Sequence, residues 1–193
     1  MLTPRFDTAL AYAVAAHAGQ KRKKSEIPYI SHLLIVAGTA LEYGANEDEA
    51  IAALLHDAVE DSGGRERAED IRRRFGDRVA DIVLGCSHAD VVPKPSSSVR
   101  KREHLDRLRA ETDRAVLFVC ACDKLANVRS ILKDHRALGD GVFNKFNVGK
   151  AETIAYYREF VEVLRQHANT PVVEELARAV DELVELSDGE AAV

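Results

Sequence analysis

The chain has 193 residues and a formal net charge of -5, with 46% hydrophobic and 31% charged side chains and no Trp. That length and balance describe a globular protein able to bury a sizeable core, and the acidic excess excludes a general nucleic-acid binder, which needs a cationic surface. No apolar run reaches membrane-spanning length, and Met1-Leu2-Thr3-Pro4-Arg5-Phe6-Asp7 lacks the apolar core of a signal peptide.

Taken in order, Thr3 or Asp7 caps a first helix running through about Ala18, with Phe6, Leu10, Val14 and neighbouring alanines as its apolar stripe and Gly19 as its end. A basic loop follows, Gln20-Lys21-Arg22-Lys23-Lys24-Ser25-Glu26, of a kind that is usually just a solvated face. Pro28 then starts a second helix, which carries His32, Leu33, Ile35, Val36 and Leu41 and stops at Gly44.

Asn46 or Asp48 caps the third helix, which contains Ile51 to Asp61 and is broken by Ser62-Gly63-Gly64. At about 100° per residue its Ile51, Ala52, Leu54, Leu55, Ala58 and Val59 share one arc, and His56, Asp57, Glu60 and Asp61 share the other. One imidazole and three carboxylates therefore gather on one face of an apolar helix. Two readings are open for this segment. It is a solvated polar face at a helix end, or it surrounds a cation that offsets the cost of burying carboxylates.

Short helices over Glu69–Phe75 and Arg78–Leu84 end at Gly76 and Gly85. Asp90 to Ser98, rich in Pro and Ser, reads as an exposed loop before a helix from Arg100 to Glu111. Ala115 to Leu132 is an apolar helix with Asp123 as its only interior acid, and Asn127 lies one turn on. The three cysteines, Cys86, Cys120 and Cys122, have no spaced framework and point to reduced thiols in a cytoplasm. Cys120-Ala121-Cys122 lacks C-x-x-C spacing and reads as small buried residues. Gly139 and Gly141 mark a loop, Val142 to Val148 is short and aromatic, and helices follow over Glu152–Gln166 and from Pro171. Ser187 to Val193 reads as a frayed tail. The expectation is a single all-α bundle of roughly eight to ten helices over residues 1–186, with a flexible tail at 187–193.

His32, His56, Asp57 and Asp123 fall on three apolar helices. Two imidazoles and two carboxylates make a mixed N/O set suited to Mn, Fe or Zn rather than Ca or Mg. In this order the chain resembles the HD-domain metal-dependent phosphohydrolases, and within them the alarmone hydrolases of the stringent response. The matching stretches are His17-Ala18-Gly19-Gln20-Lys21-Arg22-Lys23, Ile27-Pro28-Tyr29-Ile30-Ser31-His32, Ala53-Leu54-Leu55-His56-Asp57-Ala58-Val59-Glu60-Asp61, and Asp123-Lys124-Leu125-Ala126-Asn127-Val128-Arg129.

The resemblance implies that His32, His56, Asp57 and Asp123 bind one Mn²⁺ and that Glu60 and Asp61 position and activate water. It also implies that Arg22 stacks on a purine beside Lys23, and that Asn127 contacts the nucleotide. The reaction it implies is removal of pyrophosphate from the 3′ position of guanosine tetra- or pentaphosphate by a stand-alone, cytoplasmic hydrolase with no nucleic-acid or membrane partner. Cations near the leaving pyrophosphate are sought among Lys94, Arg100, Lys101, Arg102, Lys145 and Lys150, with Lys145 and Lys150 favoured because they sit beside aromatic residues. The chain departs from the larger enzymes of the group at Cys120, at Ala126 and at Ser87-His88, which bears on the base and the phosphates rather than on the metal. Two alternatives remain at this point: an HD phosphohydrolase for adenosine alarmones or another nucleotide, and a regulatory module that binds a nucleotide without turnover.

Overall fold

Capping chemistry sets where the helices begin. In the computed structural model, which describes residues 1–61, 63–87 and 96–189, α1 (Pro4–Ala16) starts with Thr3 Oγ1 accepting from the Arg5 N–H at 3.3 Å and with Pro4 in the first helical turn. α2 spans Ile30–Glu42. α3 (Glu47–Leu55) opens on a reciprocal capping box: Asn46 Oδ1 accepts from Glu49 N at 3.0 Å, and Glu49 Oε2 accepts from Asn46 N at 2.8 Å. The further helices are α4 (Ala58–Asp61), α5 (Gly64–Phe75), α6 (Asp77–Cys86), α7 (Ser97–Ala110), α8 (Arg114–Leu138), α9 (Gly149–His167) and α10 (Pro171–Gly189), with a 3-10 segment at Gly139–Lys145. Among the described residues there is no strand, only one antiparallel bridge between Lys21 and Pro28. The fold is all-α.

The residues fall into two units, Met1–Lys94 with Asp113–Asp123, and Pro95–Thr112 with Lys124–Val193. In the first unit α3 packs against α1, α2 and α6, while α5 packs against α4 and α6. Its centre is the fully buried run Ala50 to Leu55. In the second unit α9 packs against α7, α10 and the 3-10 segment, around Phe160, Leu164 and Leu176.

Several expectations change. Of the expected stripe on α1 the alanines Ala9 and Ala13 are the buried members, Phe6 and Leu10 are half-buried, and Val14 is 51% exposed. Small side chains on that face let α1 approach α3 closely. α2 begins at Ile30, because Pro28 is committed to the bridge with Lys21. α5 starts at Gly64, several residues before the expected Glu69, once Gly63 (φ 131°) and Gly64 (φ 52°) have turned the chain. α6 runs through Gly85, which is a contact point and no terminator: a Cβ there would lie 2.6 Å from Val116 Cγ2. α7 starts at Ser97, capped by Ser96, so the expected loop at Asp90–Ser98 is already helical at its end. α10 continues to Gly189, past the start of the expected tail. Lys94, His88, the loop residues 90–95, Ser62 and tail residues 190–193 lie outside the described residues.

The expected single helix over Ile51–Asp61 is two helices, α3 and α4, with His56 and Asp57 in the break. The cause is local. His56 Nδ1 bonds the Ala53 carbonyl at 2.8 Å, competing for an acceptor that would otherwise serve a backbone N–H one turn on. Helical bonding resumes with Asp61 N to Asp57 O at 3.0 Å.

Candidate metal centre

Four side chains meet in the first unit. His32 comes from the first turn of α2, His56 and Asp57 from the α3–α4 break, and Asp123 from α8. His32, His56 and Asp123 are 3%, 3% and 7% exposed. His32 Nε2 is 3.1 Å from Asp123 Oδ1 and 3.7 Å from Asp57 Oδ2; His56 Nε2 is 3.0 Å from Asp57 Oδ2 and 3.6 Å from Asp123 Oδ1. The donor atoms of His32, His56 and Asp57 all lie within 4.8 Å of one another.

These separations suit one divalent cation. Metal–ligand bonds of roughly 2.0–2.2 Å, with angles between square and trigonal, put neighbouring ligand atoms about 3–3.7 Å apart. The hydrogen bonding suits it as well. His56 Nδ1 is spent on Ala53 O, and the buried Nε2 has no hydrogen-bond partner. A lone pair that close to a carboxylate oxygen requires positive charge between them. Burial on its own pushes the His56 pKa down, but the charges of Asp57 and Asp123 override it and raise it well above the ordinary value. His32 is held below the ordinary value, chiefly by burial. A proton or a metal ion can fill the same place.

A second ring of groups orients these ligands. The Tyr29 hydroxyl donates to Asp57 Oδ2, and burial, then the Asp57 charge, pushes the phenol far above its usual pKa, so it stays a donor. Ser87 Oγ lies 2.8 Å from Val83 O and 3.4 Å from His56 O, beside the carbonyl left at the end of α3. Neither residue was foreseen from sequence. Tyr29 stands three residues before His32, a spacing that a helix begun at Pro28 puts on one face, but its partner Asp57 lies 28 residues further along the chain.

Glu60 is half-buried on α4, and Asp61 reaches solvent at the same turn. Neither belongs to the converging group of His32, His56 and Asp57 found among the described residues; Asp123 is also outside that group, but its Oδ1 lies 3.1 Å from His32 Nε2 and 3.6 Å from His56 Nε2. Gln20 Nε2 donates to Asp61 Oδ2 at 2.7 Å, and Gln20 Oε1 lies 2.7 Å from His17 Nδ1. Partial burial pushes the Asp61 carboxyl up from its usual value, with the Gln20 hydrogen bond pulling the other way.

The basic loop is pinned by Tyr29 N to Gln20 O at 2.9 Å and Arg22 N to Ile27 O at 2.8 Å. It places the half-buried Arg22 guanidinium 5.8 Å from the Tyr29 ring centroid, while Lys23 is exposed. Asn127, Lys145 and Lys150 belong to the second unit. There Lys145 Nζ pairs with Asp134 at 2.8 Å, and Lys150 Nζ pairs with Asp140 at 2.8 Å and donates to Ser187 O. A phosphate would have to displace those partners. Cys120 and Cys122 are buried and form no disulfide among the described residues, as expected.

An all-helical fold with a converging His32–His56–Asp57 group and Asp123 beside it defines a class: helical proteins with a cluster of donors fit to hold a divalent metal ion. The particular family follows from comparison. The family model described as an HD domain matches residues 9–144, and the chain belongs to that family.

Among similar proteins, a guanosine-3′,5′-bis(diphosphate) 3′-pyrophosphohydrolase of Aquifex aeolicus is 37% identical over 123 residues, which is 64% of this chain and 17% of that protein. A GTP pyrophosphokinase of Streptomyces coelicolor is 37% identical over 123 residues, 63% of this chain and 14% of that protein. The chain thus spans less than a fifth of the length of these curated relatives. Among solved structures, lmo0812 from Listeria monocytogenes has a TM-score of 0.70 at 29% identity, covering 80% of this chain and 99% of that one. A metazoan ortholog of SpoT, described as hydrolysing ppGpp, shares the fold at TM-score 0.76 and 22% identity, covering 94% of this chain and 97% of that one. No helix among the described residues is long and apolar enough to cross a membrane.

Proposed function

We propose that the chain is a cytoplasmic phosphohydrolase that uses one Mn²⁺ ion to remove pyrophosphate from the 3′ position of guanosine tetra- and pentaphosphate. The observation that carries the reading is the convergence of His32, His56, Asp57 and Asp123 on one point, with Glu60 and Asp61 on the next turn. It occurs in a chain 37% identical over 123 residues to a protein named for that hydrolysis. Other relatives carry a pyrophosphokinase name. The site favours hydrolysis, because kinase chemistry is served by Mg²⁺ held through carboxylates and substrate phosphates, whereas two imidazoles with two carboxylates select a transition-type ion.

The bound ion supplies Lewis-acid polarisation of the phosphoryl group and eases deprotonation of water. In the reaction a water oxygen bonds to the phosphorus next to the 3′ oxygen, and the bond between that phosphorus and the 3′ oxygen breaks. The 3′ oxygen takes a proton, and pyrophosphate leaves. Glu60 and Asp61 lie one turn beyond Asp57 and outside the ligand set, which fits them to hold the water and accept its proton. Arg22, whose guanidinium lies 5.8 Å from the Tyr29 ring centroid, is assigned to stack on a purine. Lys23 and Asn127 are assigned to the nucleotide. Lys145 and Lys150 serve the phosphates only by exchanging their carboxylate partners.

Product analysis tests this reading against guanosine and adenosine 3′-pyrophosphorylated nucleotides, 5′-nucleotides and cyclic nucleotides. The expected outcome is pyrophosphate with an equal amount of nucleotide bearing a free 3′ hydroxyl. Glu60→Gln should lose kcat by about a hundredfold or more with metal content unchanged, whereas Asp57→Ala should lose the metal itself. Preference for adenosine substrates would move the base assignment. Tight nucleotide binding without product would make the chain a binding module.

A further inference from the structure

Gln20 and His17 form a hydrogen-bonded chain that ends on Asp61, and nothing in the metal centre requires it. Gln20 Nε2 to Asp61 Oδ2 and His17 Nδ1 to Gln20 Oε1 are both 2.7 Å. A carboxylate only accepts, so the amide NH₂ must face Asp61 and the amide oxygen must face His17. His17 therefore carries its proton on Nδ1. Its other nitrogen, Nε2, is buried without a hydrogen-bond partner, which disfavours a proton there.

The ring itself is fixed. His17 is 4% exposed and stacks on Tyr29 with centroids 5.2 Å apart. The backbone is fixed as well, since Gln20 N bonds His17 O at 3.0 Å across a turn that needs Gly19 at φ 75°. The turn ends α1 and brings the two side chains together within four residues. Among the described residues no other side chain donates to the Asp61 carboxylate, and Gln20 holds its Oδ2.

We propose that Gln20 is a positioning residue, backed by His17, that fixes the Asp61 carboxylate by one oxygen and presents the other to the attacking water. This rests on the reading of Asp61 as a proton acceptor in the proposed hydrolysis. It also divides the acidic pair: Asp61 is the member anchored from the α1 side through the His17–Gln20 turn. A carboxylate free to rotate about two torsions spends only part of its time at the angle proton transfer needs, and that fraction appears in kcat and not in KM.

Gln20 is half-buried and outside the apolar core, so Gln20→Leu removes both hydrogen bonds and leaves an aliphatic side chain of similar bulk. With the Mn²⁺-loaded protein and ppGpp, Gln20→Leu should lower kcat about tenfold, with KM and Mn²⁺ stoichiometry within twofold of the parent. Adding it to Asp61→Asn should lower kcat less than twofold further, because Gln20 acts through Asp61. Gln20→Glu, which restores length and polarity but sets a carboxylate against Asp61, should not recover activity. A full tenfold loss persisting in the Asp61→Asn background would overturn the proposal.

A crystal structure of Gln20→Leu supplies a readout that needs no turnover. The Asp61 carboxylate should leave its parent position or split between rotamers. An unchanged carboxylate would overturn the proposal whatever the kinetics. If instead the parent protein releases no pyrophosphate while Asp61 still moves in the variant, the positioning stands and the hydrolase reading fails.

Discussion

At the residue scale, the candidate centre is held in shape by groups outside its own donors. Tyr29 donates to Asp57 Oδ2 and so would fix how that carboxylate is presented to a metal. Tyr29→Phe removes that hydroxyl and keeps the ring that Arg22 and His17 pack against. Mn²⁺ affinity measured by calorimetry should fall by about tenfold to a hundredfold, with thermal stability of the metal-free chain little changed. Unaltered affinity would mean that the Tyr29 bond plays no part in holding the ligand. The clustering of His32, His56 and Asp57 with Asp123 was legible in the sequence, because a buried acid or imidazole on an apolar helix needs a partner. Tyr29, Gln20 and Ser87 were not, because an uncharged polar residue at a helix boundary has many ordinary uses and its partner lies far along the chain. Gln20 and Asp61 are 41 residues apart.

At the element scale, helix existence was readable and helix limits were not. The apolar and acidic arcs of Ile51–Asp61 are real, but periodicity cannot register a side chain that takes a backbone acceptor, as His56 does at Ala53. Nor can it tell a glycine that ends a helix from one that permits contact. Gly85 is the second kind: a Cβ would meet Val116 Cγ2 at 2.6 Å and Cγ1 at 2.8 Å. Val is stiff about χ1 and cannot swing aside cheaply. Gly85→Ala should therefore destabilise by about 1–3 kcal/mol in denaturant titrations, and adding Val116→Ala should recover part of the loss. Full additivity of the two changes would count against the clash.

The start of α8 is held to α6 by a second device. Asp113 Oδ1 accepts from Arg78 Nη2 at 3.0 Å and from the Ala115 N–H at 2.9 Å. Arg78 holds the Asp113 carboxyl below its ordinary pKa. A depressed folded-state pKa adds stability above the unfolded value, about 3.9, and that stability is lost as pH falls through the folded value. Both side chains are partly solvated, so the pair is worth only about 0.5–1 kcal/mol. Arg78→Ala should cost that much at pH 7, and the difference from the parent should close below about pH 4. A gap that survives at low pH would assign the Arg78 contribution to packing.

At the scale of the whole molecule, the HD-domain family accounts for residues 9–144, and the helices that carry the ligands all fall within that span. The four-ligand set and the acid pair lie in the first unit, whereas Asn127, Lys145 and Lys150 belong to the second. Arg22 and Lys23 belong to the same unit as the candidate ligands, so the proposed chemistry and base stacking would fall in one unit. The candidate cluster was easier to read from the sequence than the phosphate contacts for a physical reason. Buried, grouped acids and imidazoles leave a mark on helical pattern, while lysines pair with whatever acid is near. Lys145 with Asp134 and Lys150 with Asp140 are such pairs.

The central claim is that the His32-His56-Asp57-Asp123 cluster holds the ion on which 3′-pyrophosphate hydrolysis depends. The most direct measurement is pyrophosphate release from ppGpp by chelator-stripped protein titrated with Mn²⁺. The account predicts no release without metal and a rise that saturates near one ion per chain, abolished by Asp57→Ala. Release that persists in the stripped protein, or that Asp57→Ala leaves intact, would contradict it.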